Sequence, residues 1–178
     1  MQWKNNQHIW TIFVGNFDKW YNKYMKYGSL WKLLVSIIVC EFAGVVGSVF
    51  TISEINGWYK GLNKPNFNPP GWIFGPVWTA LFVLMAISLY LVWSKKITLK
   101  NIIIFSIQLI LNVLWSLIFF GAHSPSVAFF ELLMLWFAIV FTIINFYKVS
   151  KTAALLLLPY ILWVSFAGVL NYFIWILN

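Results

Sequence analysis

Two acidic side chains stand out because each falls inside a long apolar run. Glu131 has no basic residue in its own run. A charged side chain in hydrocarbon costs a few kcal/mol, so Glu131 should face the bundle interior, a wet cavity or a ligand. Two interpretations of Glu131 stay open: its carboxyl contacts a ligand, or it extends to the nearby membrane interface. Glu41 lies among small residues such as Gly44 and Gly47, which suit close helix packing. We interpret Glu41 as hydrogen-bonded to a neighbouring helix, with a ligand contact as the alternative.

The chain lacks the residue sets of common catalytic and metal sites. His8 and His123 each stand without a second His, Cys or carboxylate at metal-ligand spacing. No Ser-His-acid arrangement, Gly-rich phosphate loop or HExxH motif is present. The single cysteine, Cys40, cannot form an intrachain disulfide, and we interpret it as a small buried hydrophobe. The sequence predicts no catalytic residues and no metal ion.

Polar amides and indoles inside the apolar runs could contact a ligand. Asn112 and Asn171 are predicted to form hydrogen bonds between helices, and Gln108 precedes Asn112 by one turn. Twelve tryptophans are present. Some lie at run ends, as interfacial residues do. The tryptophans inside runs either pack the core or stack on a ligand, and these are Trp78, Trp115 and Trp163.

Composition places these residues in a membrane. Hydrophobic residues make up 62% of the 178 residues and charged residues 9%, against about 25% charged in soluble domains. All twelve basic residues are lysines. Arginine is the usual residue for bidentate phosphate or base contacts, so its absence argues against a nucleic-acid partner despite the net charge of +8. The charge is better explained by contact with anionic lipid headgroups.

Five apolar runs each have close to the roughly 20 residues that a bilayer-crossing helix needs. They are 30–52, 72–93, 102–120, 127–147 and 153–177. The first loop, 53–71, is the one long connection between them. Residues 1–28 carry aromatics at spacings of three and four, with lysines elsewhere on the surface. This pattern predicts an amphipathic interfacial tail, 1–28, before a five-helix transmembrane domain, 29–178.

Lysine distribution predicts the orientation. With five spans, ten lysines fall on the side of the N-terminus and two, Lys60 and Lys64, on the other. The positive-inside rule then places the N-terminus in the cytoplasm and the first loop outside. Depth along the spans therefore brings aromatic and polar residues of four helices to one level beneath this loop. They are Trp72, Phe74, Trp78, Phe82, Asn112, Trp115, Phe119, Glu131, Trp163, Ala167 and Asn171. We expect a ligand chamber there.

Motifs in five blocks resemble one known family. The first loop and second helix contain Trp58-Tyr59, Lys64-Pro65, Pro69-Pro70 and Pro76-Val77-Trp78. The later blocks are Leu111-Asn112 with Trp115-Ser116, Glu131-Leu132-Leu133, and Leu158-Pro159-Tyr160 with Trp163 and Leu170-Asn171. In this order they resemble the TspO/MBR family, the tryptophan-rich sensory proteins whose mitochondrial relatives are the translocator proteins or peripheral-type benzodiazepine receptors. The resemblance covers about 30–178.

The resemblance implies an all-α integral membrane protein, a five-helix bundle that is commonly a homodimer. Family members bind porphyrins such as protoporphyrin IX, haem, and drug-like isoquinoline carboxamides and benzodiazepines. Carried over by position, the implied ligand site is Tyr59, Pro69, Trp72, Phe74, Trp78, Phe82, Asn112, Phe119, Glu131, Trp163 and Ala167. Asn171-Tyr172 is not followed by a basic residue, so the family's sterol-recognition segment is incomplete.

Three functions follow as hypotheses. The first is a tetrapyrrole-binding sensor or transporter in a prokaryotic cell membrane, with no required cofactor and with a porphyrin or haem as ligand. The second is light-dependent degradation of a bound porphyrin, in which the photoexcited ligand would supply the reactivity. The third is a small-molecule transporter or a scaffold that docks a partner through its tail, with no porphyrin role.

Overall fold

The computed structural model describes residues 27–178, and the predicted interfacial tail lies almost wholly outside them. Its helices are α1 (Tyr27–Ile55), α2 (Trp58–Gly61), α3 (Phe74–Lys96), α4 (Leu99–Ser116), α5 (Pro125–Tyr147), α6 (Lys151–Leu156) and α7 (Leu158–Leu177). A 3₁₀ turn (Gly71–Ile73) precedes α3, and a π-helical segment (Leu117–Gly121) extends α4. The described part of the chain contains no strand.

Five helical segments are long and apolar enough to cross a bilayer. Spans one to five are Leu30–Ile55, Gly71–Lys96, Leu99–Gly121, Pro125–Tyr147 and Lys151–Leu177. Each agrees with a predicted run to within three residues at either end. The prediction of an all-α, five-span membrane protein is confirmed.

Local sequence explains where several helices begin. The Thr98 hydroxyl accepts a hydrogen bond from the Asn101 amide at 3.2 Å and caps α4. Ser150 caps α6 in the same way. Pro125 occupies the first turn of α5, where a missing amide proton costs nothing. Pro159 stands in the first turn of α7, and the fifth span is broken at Leu157 between α6 and α7. Proline cannot donate to the carbonyl four residues earlier, so the span breaks just ahead of Pro159.

The spans form a closed ring in the order one, two, five, four, three. Span one packs against spans two and three, and span four packs against spans three and five. Helix α6, the first part of span five, closes the ring against span two. Small residues allow the close approach of span one to its neighbours. A Cβ on Gly44 would lie 2.7 Å from the Phe82 ring, and one on Gly47 would lie 3.2 Å from the Ser116 hydroxyl.

The π-helical segment turns two consecutive phenylalanines inward. Phe119 and Phe120 are 2% and 6% exposed, although neighbours on a regular α-helix point about 100° apart. The wider turn is closed by the Ala122 amide, which donates to the Leu117 carbonyl at 2.8 Å. This segment places both rings against α2 of the first loop, and no local sequence pattern predicts it.

Candidate functional site

A cavity of about 300 Å³ lies between spans one, two, three and five, beneath α2. It reaches from the first-loop end of these spans to about mid-depth in the bundle. Span four contributes no residue to its wall. Span four packs against spans three and five, and these two spans separate it from the cavity. The cavity thus has four helical walls and a short helical cover.

Eight of the eleven residues predicted as a ligand site line this cavity. They are Tyr59, Phe74, Trp78, Phe82, Asn112, Phe119, Trp163 and Ala167. Trp115 and Asn171, which depth alone placed at the same level, also line it. The fold therefore brings most of the predicted set together around one space.

Three of the predicted residues do not line the cavity. Trp72 is 75% exposed at the start of span two. Pro69 lies in the first loop, where its carbonyl accepts from the Asn68 side chain at 3.0 Å. Glu131 is buried in α5, which belongs to span four and contributes no residue to the cavity wall. Both of its carboxyl oxygens are buried and have no hydrogen-bond partner in the described residues.

Aromatic rings form most of the apolar wall. Trp78 lies 5.8 Å from Phe82, between ring centroids, and the two planes are 31° apart. Phe74 meets Trp163 edge-on at 6.1 Å. On span three Trp115 stacks on Phe119 at 5.3 Å. Such flat, apolar surfaces suit a flat, apolar ligand.

Hydrogen bonds between helices hold the polar residues of the wall. The Asn112 amide donates to the buried Tyr160 hydroxyl at 3.0 Å, which joins spans three and five. The Trp115 indole donates to the Asn171 carbonyl oxygen at 3.1 Å, and the Asn171 amide donates to the Pro125 carbonyl at 2.7 Å. The predicted interhelical role of both asparagines is observed. Gln108 is not part of this network, because its amide points to Met85 sulfur at 3.9 Å.

Glu41 differs from the sequence interpretation. Its carboxyl lines the cavity, and its Oε1 atom is buried without a hydrogen-bond partner among residues 27–178. The hydrogen bond expected between this atom and a neighbouring helix is therefore absent. Close packing around Gly44 and Gly47 is present, but it involves a phenylalanine ring and a serine rather than the carboxyl.

The cover over the cavity is tied down by Tyr59. Its ring is 6% exposed and packs near Phe119 and Phe120, and its hydroxyl donates to Asn68 Oδ1 at 2.8 Å. Burial raises the pKa of Tyr59 to about 12, against the smaller opposing effect of the Asn68 hydrogen bond. Lys64 places its ammonium 4.9 Å from the centre of the Tyr59 ring. The phenol is thus a neutral donor at physiological pH.

Two further contacts fasten the first loop. Asn63 and Asn178 bond reciprocally: the Asn63 backbone amide donates to Asn178 Oδ1 at 2.9 Å, and Asn178 Nδ2 donates to the Asn63 carbonyl at 3.0 Å. At the start of the loop, His123 Nε2 lies 3.1 Å from Glu54 Oε2. The His123 ring also stacks on Trp58 at 4.4 Å. His123 has a carboxylate neighbour that sequence spacing could not reveal, because the two residues are 69 positions apart. No group of three potential metal ligands occurs within 27–178.

The fold and the cavity define a class: helical, multi-pass membrane proteins with an aromatic-walled chamber inside the bundle. The sequence profile of the TspO/MBR family matches residues 36–176, and the chain belongs to this family.

Named relatives support the same membership. The chain is 44% identical to the tryptophan-rich protein TspO of Chlorobaculum tepidum over 150 residues, which cover 82% of this chain and 95% of the relative. It is 42% identical to the TspO of Archaeoglobus fulgidus over 149 residues, covering 83% and 97%. The human translocator protein is 42% identical over 135 residues, covering 73% of this chain and 80% of the relative. A TspO-type membrane protein is thus established as the class.

Proposed function

We propose that this protein binds a tetrapyrrole in the cavity beneath the first loop and acts as a sensor or transporter of that ligand. The observation that carries the proposal is the wall of the cavity, in which indole and phenyl rings of spans two, three and five and small and aliphatic residues of span one surround one space. A flat macrocycle gains both apolar burial and ring stacking there. Trp78 and Trp163 are the proposed stacking partners, and Asn112 is the proposed polar contact.

The volume of the cavity bears on how such a ligand would lie. Ligand pockets commonly measure roughly 300–1,000 Å³, so a cavity of about 300 Å³ is at the small end. We expect the macrocycle to extend toward the first loop, with its charged substituents at the cover. Lys60 and Lys64 lie in that loop, whereas no lysine or histidine lines the cavity.

The proposed setting is a prokaryotic cell membrane with the first loop outside. Ten of the twelve lysines lie on the opposite side of the five spans, which the positive-inside rule assigns to the cytoplasm. The homodimer stays a prediction from the family resemblance.

Protoporphyrin IX titration tests the proposed ligand. We expect the tryptophan fluorescence of the purified protein to fall saturably, with micromolar or tighter affinity. The double variant Trp78→Ala/Trp163→Ala should weaken this affinity at least tenfold, because both stacking surfaces are removed.

A matched control removes two other indoles. Trp31 and Trp93 pack against each other, with centroids 4.9 Å apart, and neither lines the cavity. Trp31→Ala/Trp93→Ala should retain the wild-type dissociation constant. An unchanged titration in the Trp78/Trp163 variant would show that the proposed site is wrong.

A further inference from the structure

Most polar side chains on the cavity wall already have partners within the protein. The hydroxyls of Ser48, Thr51 and Thr79 each donate to a backbone carbonyl three or four residues earlier, at 2.7–3.2 Å. The Asn112 and Asn171 amides and the Trp115 indole are paired between helices as described above. Because these groups already form hydrogen bonds within the protein, they do not require a ligand with matching donors or acceptors.

Two lining residues are exceptions: Trp163 on span five, whose Nε1 is buried without a partner among the described residues, and Glu41 on span one. Its Oε1 atom is buried and unpartnered within the described residues. Glu41 follows the first residue of span one by 11 positions and precedes its last by 14, which puts it about 17 Å and 21 Å from the two ends at 1.5 Å per residue. It therefore lies near the middle of the span, far from the water at either end of the helix. A buried acceptor without a donor is unfavourable, and a donor brought by a ligand would remove that cost.

The surroundings of Glu41 restrict what that donor can be. No lysine, arginine or histidine of residues 27–178 lines the cavity, so no cation of this part of the chain faces the carboxyl there. An anionic ligand group would meet Glu41 without compensation. The Phe82 ring packs against Gly44, which is three positions after Glu41 and hence on the same face of α1. A flat ligand resting on Phe82 would lie beside the carboxyl.

We infer that Glu41 accepts a hydrogen bond from the ligand, and that this carboxyl therefore favours flat aromatic ligands that carry an N–H group over acceptor-only ligands of the same shape. The inference deepens the proposed function and rests on it, since the porphyrin ring carries N–H groups. It adds a specificity-determining residue to a site otherwise defined by apolar surface.

Carbazole and dibenzofuran are suitable probes, because they share one three-ring shape. Carbazole presents an N–H donor where dibenzofuran presents an oxygen acceptor. We expect the full-length protein in detergent to bind carbazole about tenfold more tightly, as measured by calorimetry. The preference should vanish in Glu41→Leu, which has no acceptor. It should survive in part in Glu41→Gln, which keeps a carbonyl oxygen. Glu131→Gln neutralises a buried acid on span four, outside the cavity wall, and should keep the full preference.

The protoporphyrin IX titration, run on the same samples, separates the possible failures. Equal affinity for the two probes in the wild type, or no carbazole binding, overturns the role of Glu41. So does a preference that persists in Glu41→Leu. If the wild type distinguishes the probes but does not respond to protoporphyrin IX, the role of Glu41 stands and the proposed porphyrin ligand is wrong. If Glu41→Leu fails to fold, Glu41→Gln decides the question. We expect its preference for carbazole to be smaller than that of the wild type, because its carbonyl oxygen is a weaker acceptor than a carboxylate. An unchanged preference in Glu41→Gln would then contradict the role of Glu41.

Discussion

Tyr59 couples the first loop to the rings that close the cavity. Its hydroxyl bonds Asn68 within the loop, while its ring packs near Phe119 and Phe120 of the π-helical segment. Tyr59→Phe keeps the ring and removes the hydrogen bond, which commonly contributes about 1 kcal/mol. We expect amide hydrogens of 60–68 to exchange roughly fivefold faster, as measured by mass spectrometry. Exchange at 99–116 should not change, and equal acceleration there would contradict a local role.

At the residue scale, the depth of a side chain in the membrane is predictable from the sequence, whereas its direction is not. Trp78, Asn112 and Trp163 were identified from their level in the membrane, and they line the cavity. Glu131 was assigned on the same grounds, but α5 lies behind the cavity wall. Depth along a span follows from counting residues, whereas the direction of a side chain depends on helix rotation. Helices that are apolar all round carry little periodic signal for that rotation.

Among the structural elements, the first loop is held near its start and at its middle. Asn63 bonds Asn178 beside the end of α7, and Trp58 stacks on His123 beside the end of α1. These contacts lie far apart in sequence, so neither could be predicted from local pattern. Together they restrain a segment that includes several prolines, whose fixed backbone angles reduce its freedom further.

The reciprocal asparagine pair predicts a coupled effect. Asn63→Ala and Asn178→Ala should each accelerate hydrogen exchange in the first loop, because each removes one partner of the same pair of bonds. The double variant should be no worse than the poorer single variant, since residues that share a bond are non-additive. Asn66→Ala, at an exposed position in the same loop, serves as the control. Fully additive effects would show that the two asparagines act separately.

For the whole molecule, the span boundaries were predictable because bilayer thickness fixes the length of an apolar helix. The order of the spans around the ring was not, since several arrangements satisfy the same hydropathy. Orientation is still a prediction from lysine asymmetry, and selective labelling tests it. Cys40 is the only cysteine and is buried, so the unmodified chain gives the background signal.

Single cysteines on the two sides should react differently with a membrane-impermeant maleimide. Asn66→Cys in the first loop should be labelled in intact cells, whereas Ser94→Cys at the opposite end of span two should be labelled only after lysis. The reverse pattern would place the first loop in the cytoplasm and invert the proposed orientation.

The π-helical segment has a consequence for comparing relatives and for engineering. Its wide turn holds one residue more than an α-helical turn. A single-codon deletion within Leu117–Gly121 could therefore be absorbed by relaxation to a regular helix, without shifting the phase of Leu99–Ser116. Phe119 and Phe120 would then no longer both face inward, so the cavity would lose one of the two rings that form its roof beneath α2. The overall composition would stay almost the same. Alignments that permit one gap at this point would separate homologues with this roof from those without it.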